Sequence, residues 1–178
     1  MALKATIFKA DLHISDMDRH YYQHHALTLA RHPSETNERL MVRLLAFALN
    51  AHEHLTFTKG LCVDDEPALW QKDLTGLIEH WIDVGLPDPK LVRKASHQSK
   101  KVTVLSYGGH VAELWWAKNR GALTSLENLT IFNLAPETTQ TLARLAQRTM
   151  RLQCSIEDGH AWLGNEETTV EVFPQRWL

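Results

Sequence analysis

The chain has 178 residues, of which 44% are hydrophobic and 22% charged, with a formal net charge of −2. That length suffices for one domain with a sizeable core, and the composition is that of an ordinary globular protein. The charge balance argues against a bulk electrostatic nucleic-acid binder and leaves only local basic patches open. Cys62 and Cys154 are the only cysteines and lie far apart, which argues against a disulfide framework or a structural zinc site. The first residues, MALKATIFKADLHISD, lack the apolar core of a secretory signal, and no run reaches the roughly 18 apolar residues of a spanning helix. A cytoplasmic protein is expected.

Residues 3–14 alternate loosely and predict a strand, and residues 25–31 predict a second that can pair with it. HPSETNERLMVRLLAFALNAHEHL predicts a helix from about Ser34 to Ala51, with Ser34 as N-cap and Glu35 at the positive end of its dipole. Residues 55–61 are β-branched and aromatic, hence a short strand. DDEPALWQKDLTG reads as loop with one helical turn. Strand 78–84 comes next, then a helix opened by Asp88 as N-cap and Pro89 at its first position. Strand 101–108 precedes a helix that Gly121 is expected to end. Strand 129–134 and a helix opened by Pro136 follow. Two or three closing strands then turn at Asp158–Gly159.

The central alternation of strand and helix predicts parallel connections, and the flanking hairpins predict a mixed sheet. The expected class is α/β or α+β, in one domain spanning 1–178 with no internal repeat or linker.

Two carboxylates stand out. In strand 78–84, Glu79, Trp81 and Asp83 share one face. Glu79 and Asp83 are about 13 Å apart at roughly 3.3 Å per residue. One metal ion therefore cannot hold both, since its oxygen ligands lie within about 2.0–2.6 Å. Asp83 needs an acidic partner from a neighbouring strand or from the preceding loop, which offers Asp64, Asp65, Glu66 and Asp73. Glu38 is the second. On a helical wheel it lies within about 60° of Met41, Val42, Leu45 and Leu49, at the end of the apolar stripe. A carboxylate there needs an arginine or a metal. Lys90 and Lys94 share a face of the helix that follows Asp83, whose N-terminus favours an anion.

Other features have plainer readings. His20 and His24 are four apart but sit next to a strand and lack an HEXXH context, so surface histidines are expected, as at His52 and His54. Trp115 and Trp116 could stack bases if exposed, and otherwise pack in the core. Lys90, Lys94, Lys100, Lys101, Arg144, Arg148 and Arg151 are the cations available to a nucleic acid.

The strings LTLARHPSETNERLMVRLLAFAL, GLCVDDEPALWQKDLTG and WIDVGLPD resemble the signature blocks of the YaeQ family, in the same order and almost end to end. The resemblance implies a variant of the PD-(D/E)XK nuclease fold, with a helix glutamate, strand acids and a lysine meeting over Mg2+ or Mn2+. Glu38 then resembles the helix acid and Asp83 the second-strand acid, and either Asp65 or Asp73 the first-strand acid. The pattern places lysine two residues after Asp83, where this chain has Gly85. Lys94 or Lys90 would have to replace it. Two functions follow as expectations: a metal-dependent nuclease-like phosphodiesterase, or a non-catalytic nucleic-acid- or protein-binding regulator on a nuclease-derived scaffold.

Overall fold

A computed structural model describes residues 4–59 and 65–178. The chain groups into two compact units, residues 1–49 with 137–174 and residues 50–136 with 175–178. Four helices and eleven strands are present among the described residues. The strands form two mixed sheets where the sequence suggested one.

The first unit holds a sheet in the order β10-β9-β8-β1-β2. Strand β1 (Thr6–Asp16) pairs antiparallel with β2 (Tyr21–Arg31), the hairpin anticipated from their alternation. Even-numbered residues of β1 from Phe8 to Ile14 are buried and odd-numbered ones exposed, so the period of two carries a one-sided core. Strand β8 (Thr149–Glu157) joins β1 in parallel and continues into β9 (His160–Gly164) and β10 (Thr169–Val172). Asp158 and Gly159 both have positive φ, 52° and 75°, as a tight β8–β9 turn requires.

Helix α1 (Asn37–Leu49) begins later than Ser34. Thr36 Oγ1 accepts from the Arg39 N–H and caps it, while the Ser34 hydroxyl bonds to the His32 imidazole in the preceding turn. Helix α4 (Pro136–Ala143) stops short of the span suggested by its sequence.

The second unit holds a sheet in the order β11-β7-β6-β5-β4-β3. Its strands are β3 (Leu55–Phe57), β4 (Leu69–Lys72), β5 (Ile78–Val84), β6 (Ser99–Tyr107), β7 (Leu129–Leu134) and β11 (Gln175–Arg176). Strand β4 replaces the expected loop: LWQK is only four residues long, and its pairing to β3 and β5 makes it a strand. Strands β5, β6 and β7 are parallel, linked by α2 (Pro89–Gln98) and α3 (His110–Leu123), as anticipated. Asp88 caps α2 through the Lys90 N–H, with Pro89 at its first position. Helix α3 runs through Gly121 to Leu123; one interior glycine costs only about 1 kcal/mol, and Leu123 is fully buried. The core of this unit gathers Trp81, Val92, Val102, Val104, Leu123 and Ile131.

Candidate functional site

Strand β5 sets the position of Asp83. Its carboxylate accepts a hydrogen bond from the Trp81 indole N–H at 2.8 Å, on the face the two share. Glu79, two residues before Trp81, pairs with Lys100 Nζ at 2.7 Å. The hydrogen bond and charge of Glu79 hold the Lys100 amine above its usual pKa.

The register of β4 on β5 puts the two first-strand candidates at opposite ends of the pair. Leu69 lies opposite Ile82, so Asp83 comes next to Ala68, and Asp65 is on that same side. Asp73 stands at the other end, where its N–H donates to Leu77 O at 2.9 Å. From there to Asp83 is about 20 Å along the strand at roughly 3.3 Å per residue. Asp73 therefore cannot share a metal ion with Asp83. Its carboxylate closes the β4–β5 turn instead, accepting from the Thr75 hydroxyl at 2.6 Å and from the N–H groups of Thr75 and Leu77. The Thr75 hydroxyl above all, with those backbone bonds, pulls the Asp73 carboxyl below its ordinary pKa.

Asp65 and Lys94 do meet, at 2.9 Å, as an exposed ion pair. Lys90 contributes its backbone N–H to the α2 cap. Asp64 lies outside the described residues. Gly85 occupies the position of the pattern's lysine with φ +92°. A Cβ there would have room, but few L-residues adopt that backbone conformation. The glycine is thus fixed by the chain's exit from β5.

Glu38, in the other unit, is half-buried and accepts from Thr139 Oγ1 at 3.2 Å. The arginine pairing suggested for it belongs to Glu35. Glu35 is buried and bonds Arg43 through both oxygens, at 2.8 and 3.0 Å, and Arg39 at 2.9 Å. Arg43 is the most deeply buried cation of the chain, and desolvation lowers its pKa. Helix α1 is buried on every side from Leu40 to Ala48, Arg43 included.

Within the second unit, Asp65 and Asp83 thus lie at one end of the sheet and Asp73 at the other. Among the described residues, no group of three or more His, Cys, Asp or Glu side chains is placed to hold a metal ion.

The candidate nucleic-acid contacts divide as well. Lys90, Lys94, Lys100 and Lys101 belong to one unit, and Arg144, Arg148 and Arg151 to the other. Trp115 donates to Pro87 O at 3.0 Å and Trp116 stacks on Trp177, and both are partly buried against the core. His20 sits in the β1–β2 turn and His24 on β2, and no helical histidine pair forms.

Two surfaces were not foreseen. On the outer face of the first sheet, His13 and His24 face each other across β1 and β2 with ring centroids 4.4 Å apart. With Asp11, Arg151, Gln153 and Glu166 they line a cleft of about 340 Å3. Alternation puts Asp11 and His13 on one face of β1, but Arg151 arrives only through the β1–β8 pairing, which no local signal encodes.

The second surface lies between α2 and α3. Pro87, Lys90, Val111, Leu114, Trp115 and Lys118 line an open groove of about 710 Å3. Val111 is 62% and Leu114 56% exposed. The pattern L-x-x-x-K from Leu114 to Lys118 follows one face of α3 and could have marked it.

Comparison with known proteins agrees with the resemblance carried by the sequence strings. The chain is 43% identical to the YaeQ protein of Escherichia coli (strain K12) over 177 residues, covering 99% of this chain and 98% of that one. Crystal structures of the YaeQ proteins of Xanthomonas axonopodis pv. citri and Pseudomonas syringae superpose with a TM-score of 0.94 each, at 48% and 35% identity. The alignments cover 97% of this chain and 98% of the first structure, and 98% of this chain and 96% of the second. With the YaeQ protein family profile matching residues 1–174, the chain belongs to the YaeQ family.

Proposed function

We propose that the chain is a non-catalytic, protein-binding module that docks its partner in the groove between α2 and α3. The observation that carries this reading is the apolar area of Val111 and Leu114, left exposed and flanked by Lys90 and Lys118. Contiguous exposed apolar surface rimmed by polar groups marks interaction sites. An amphipathic partner helix lays its apolar face into such a groove, and the two lysines select one with acidic residues beside its leucines. The acids on β5 and before β4 fit this reading. Asp65 is engaged by Lys94 and Glu79 by Lys100, and a glycine at positive φ replaces the lysine that hydrolysis would need.

The test is a photo-crosslinking residue at position 111 or 114 in cells, with an exposed control position such as Leu74. A partner captured only from the groove must then bind the purified chain. That binding must weaken at least tenfold in Leu114→Asp and in Lys90→Glu/Lys118→Glu. Adducts equal at groove and control positions would refute the reading.

One observation favours a second reading, a metal-dependent phosphodiesterase on a variant of the PD-(D/E)XK fold. Asp65, Asp83 and the start of α2 fall at the same end of the sheet, where open α/β sheets place their ligands. Its ligands would include Asp83 and Asp65, with Lys94 as the cation and a nucleic acid as substrate. Titration with Mg2+ or Mn2+ separates the two readings.

A further inference from the structure

Strand β2 is the edge of its sheet, pairing with β1 alone. Which of its backbone groups point outward follows from β1. The Lys9 N–H donates to Arg148 O at 2.8 Å and the Met17 N–H to Ile156 O at 2.9 Å, so odd-numbered residues of β1 address β8. Even-numbered residues of β1 address β2, where their register partners are odd-numbered, such as Phe8 with Leu29 and Leu12 with His25. Tyr22, His24, Ala26, Thr28 and Ala30 therefore turn their N–H and C=O groups away from the sheet. The carbonyl of Ala30 accepts from Arg43 Nη2 at 3.0 Å, which confirms the direction. From Tyr22 to Thr28 these outward groups meet no protein partner among the described residues.

Natural sheets guard such an edge with lysine, proline, a bulge or very short length. Strand β2, YYQHHALTLAR, is eleven residues long, has neither proline nor lysine, and pairs one-to-one with β1 without a bulge. An unguarded edge of this length is a template for another strand.

We propose that the added strand is β2 of a second copy of this chain, antiparallel and centred on Ala26. The sequence is complementary to itself in that register. Tyr22 of one copy falls opposite Ala30 of the other, His24 opposite Thr28, and Ala26 opposite Ala26, so each large side chain meets a smaller one. The one formally charged side chain of the strand, Arg31, falls opposite Tyr21, and no like charges meet. The two-fold axis makes the contact self-complementary and closed, so it yields a dimer and not a fibre. The outward pairs His24–Thr28 and Ala26–Ala26 each exchange two backbone hydrogen bonds, while the Ala30 carbonyl stays with Arg43, and the two five-stranded sheets continue into one. The contact uses neither the α2–α3 groove nor the acids on β5.

Sedimentation velocity across the micromolar range tests this on the full chain. The expected wild-type species is a dimer. Ala26→Pro removes an outward N–H and leaves the ladder to β1 intact, since proline is tolerated on an edge. Ala26→Lys sets two like charges at the axis and keeps the N–H. Both variants are expected to sediment as monomers with circular dichroism like the wild type, and Ala26→Lys still decides if proline disturbs the fold. In a Cys62→Ser background, Ala26→Cys is expected to oxidise to a covalent dimer. Facing Cα atoms in a hydrogen-bonded pair are about 5.5 Å apart, within disulfide range. A wild-type monomer throughout, or a dimer that survives both Ala26→Pro and Ala26→Lys, would overturn the proposal.

Discussion

Glu35→Ala probes the deepest charge in the molecule. Glu35 supplies the two bonds, at 2.8 and 3.0 Å, that neutralise Arg43, whose side chain is 1% exposed. Without it, Arg43 retains the Ala30 carbonyl and gains a like-charged neighbour in Arg39. Breaking a buried pair by removing one member costs about 3–5 kcal/mol. For a chain of this size each kcal/mol moves the melting temperature by about 2–4 °C, so the expected loss is roughly 6–20 °C. The companion variant Glu35→Leu/Arg43→Met removes both charges and is expected to recover most of that loss, because an apolar pair of similar volume does not need compensation. Thermal melts by far-UV circular dichroism on the wild type, Glu35→Ala and the double variant give the answer. A loss under about 1 kcal/mol in Glu35→Ala would refute the reasoning, as would a double variant no more stable than the single one.

Three further outcomes follow from the same geometry. Gly85→Lys restores the lysine of the nuclease-like pattern, but at φ +92° it is expected to destabilise by about 1–2 kcal/mol and to create no metal affinity; denaturant melts and calorimetry read both. Asp73 has a carboxyl below its ordinary 3.8, so its contribution to stability is complete above that value and fades as the pH falls through the lower folded-state value. Asp73→Ala should therefore melt below the wild type at neutral pH, with the gap closing in strong acid, and a gap independent of pH would contradict this. Burial first, and the charge of Asp16 second, push the Cys154 thiol up to about 12, so in Cys62→Ser the native protein should resist iodoacetamide at pH 8 and react on unfolding.

Local chemistry made much of the architecture legible. Asp88–Pro89 announced α2, Asp158–Gly159 announced the β8–β9 turn, and the alternation from Ile78 to Val84 announced β5. The parallel centre followed from connection lengths alone. What stayed hidden depended on pairing between distant segments. LWQK becomes β4 only because β3 and β5 flank it. The Glu35–Arg43 pair stayed hidden because periodicity weighs residue type and cannot see a charged pair that satisfies itself inside.

The site was legible in part for the same reason. Asp65 and Lys94 do meet, across 29 residues of sequence, but the choice between Asp65 and Asp73 turned on the β4–β5 register, which slips at a bulge between Gln71 and Lys72. Asp83 stands near the carboxyl end of β5, where it accepts from the indole of Trp81 on its own strand. Gly85 read as a missing lysine; the structure adds that the backbone there favours glycine.

Metal binding at Asp83 separates a non-catalytic chain from a hydrolase, and calorimetric titration of Mg2+ and Mn2+ into the wild type and Asp83→Ala tests that directly. The expected result is no saturable heat from either protein. Saturable binding in the wild type that disappears in Asp83→Ala would contradict the account and turn attention to hydrolysis.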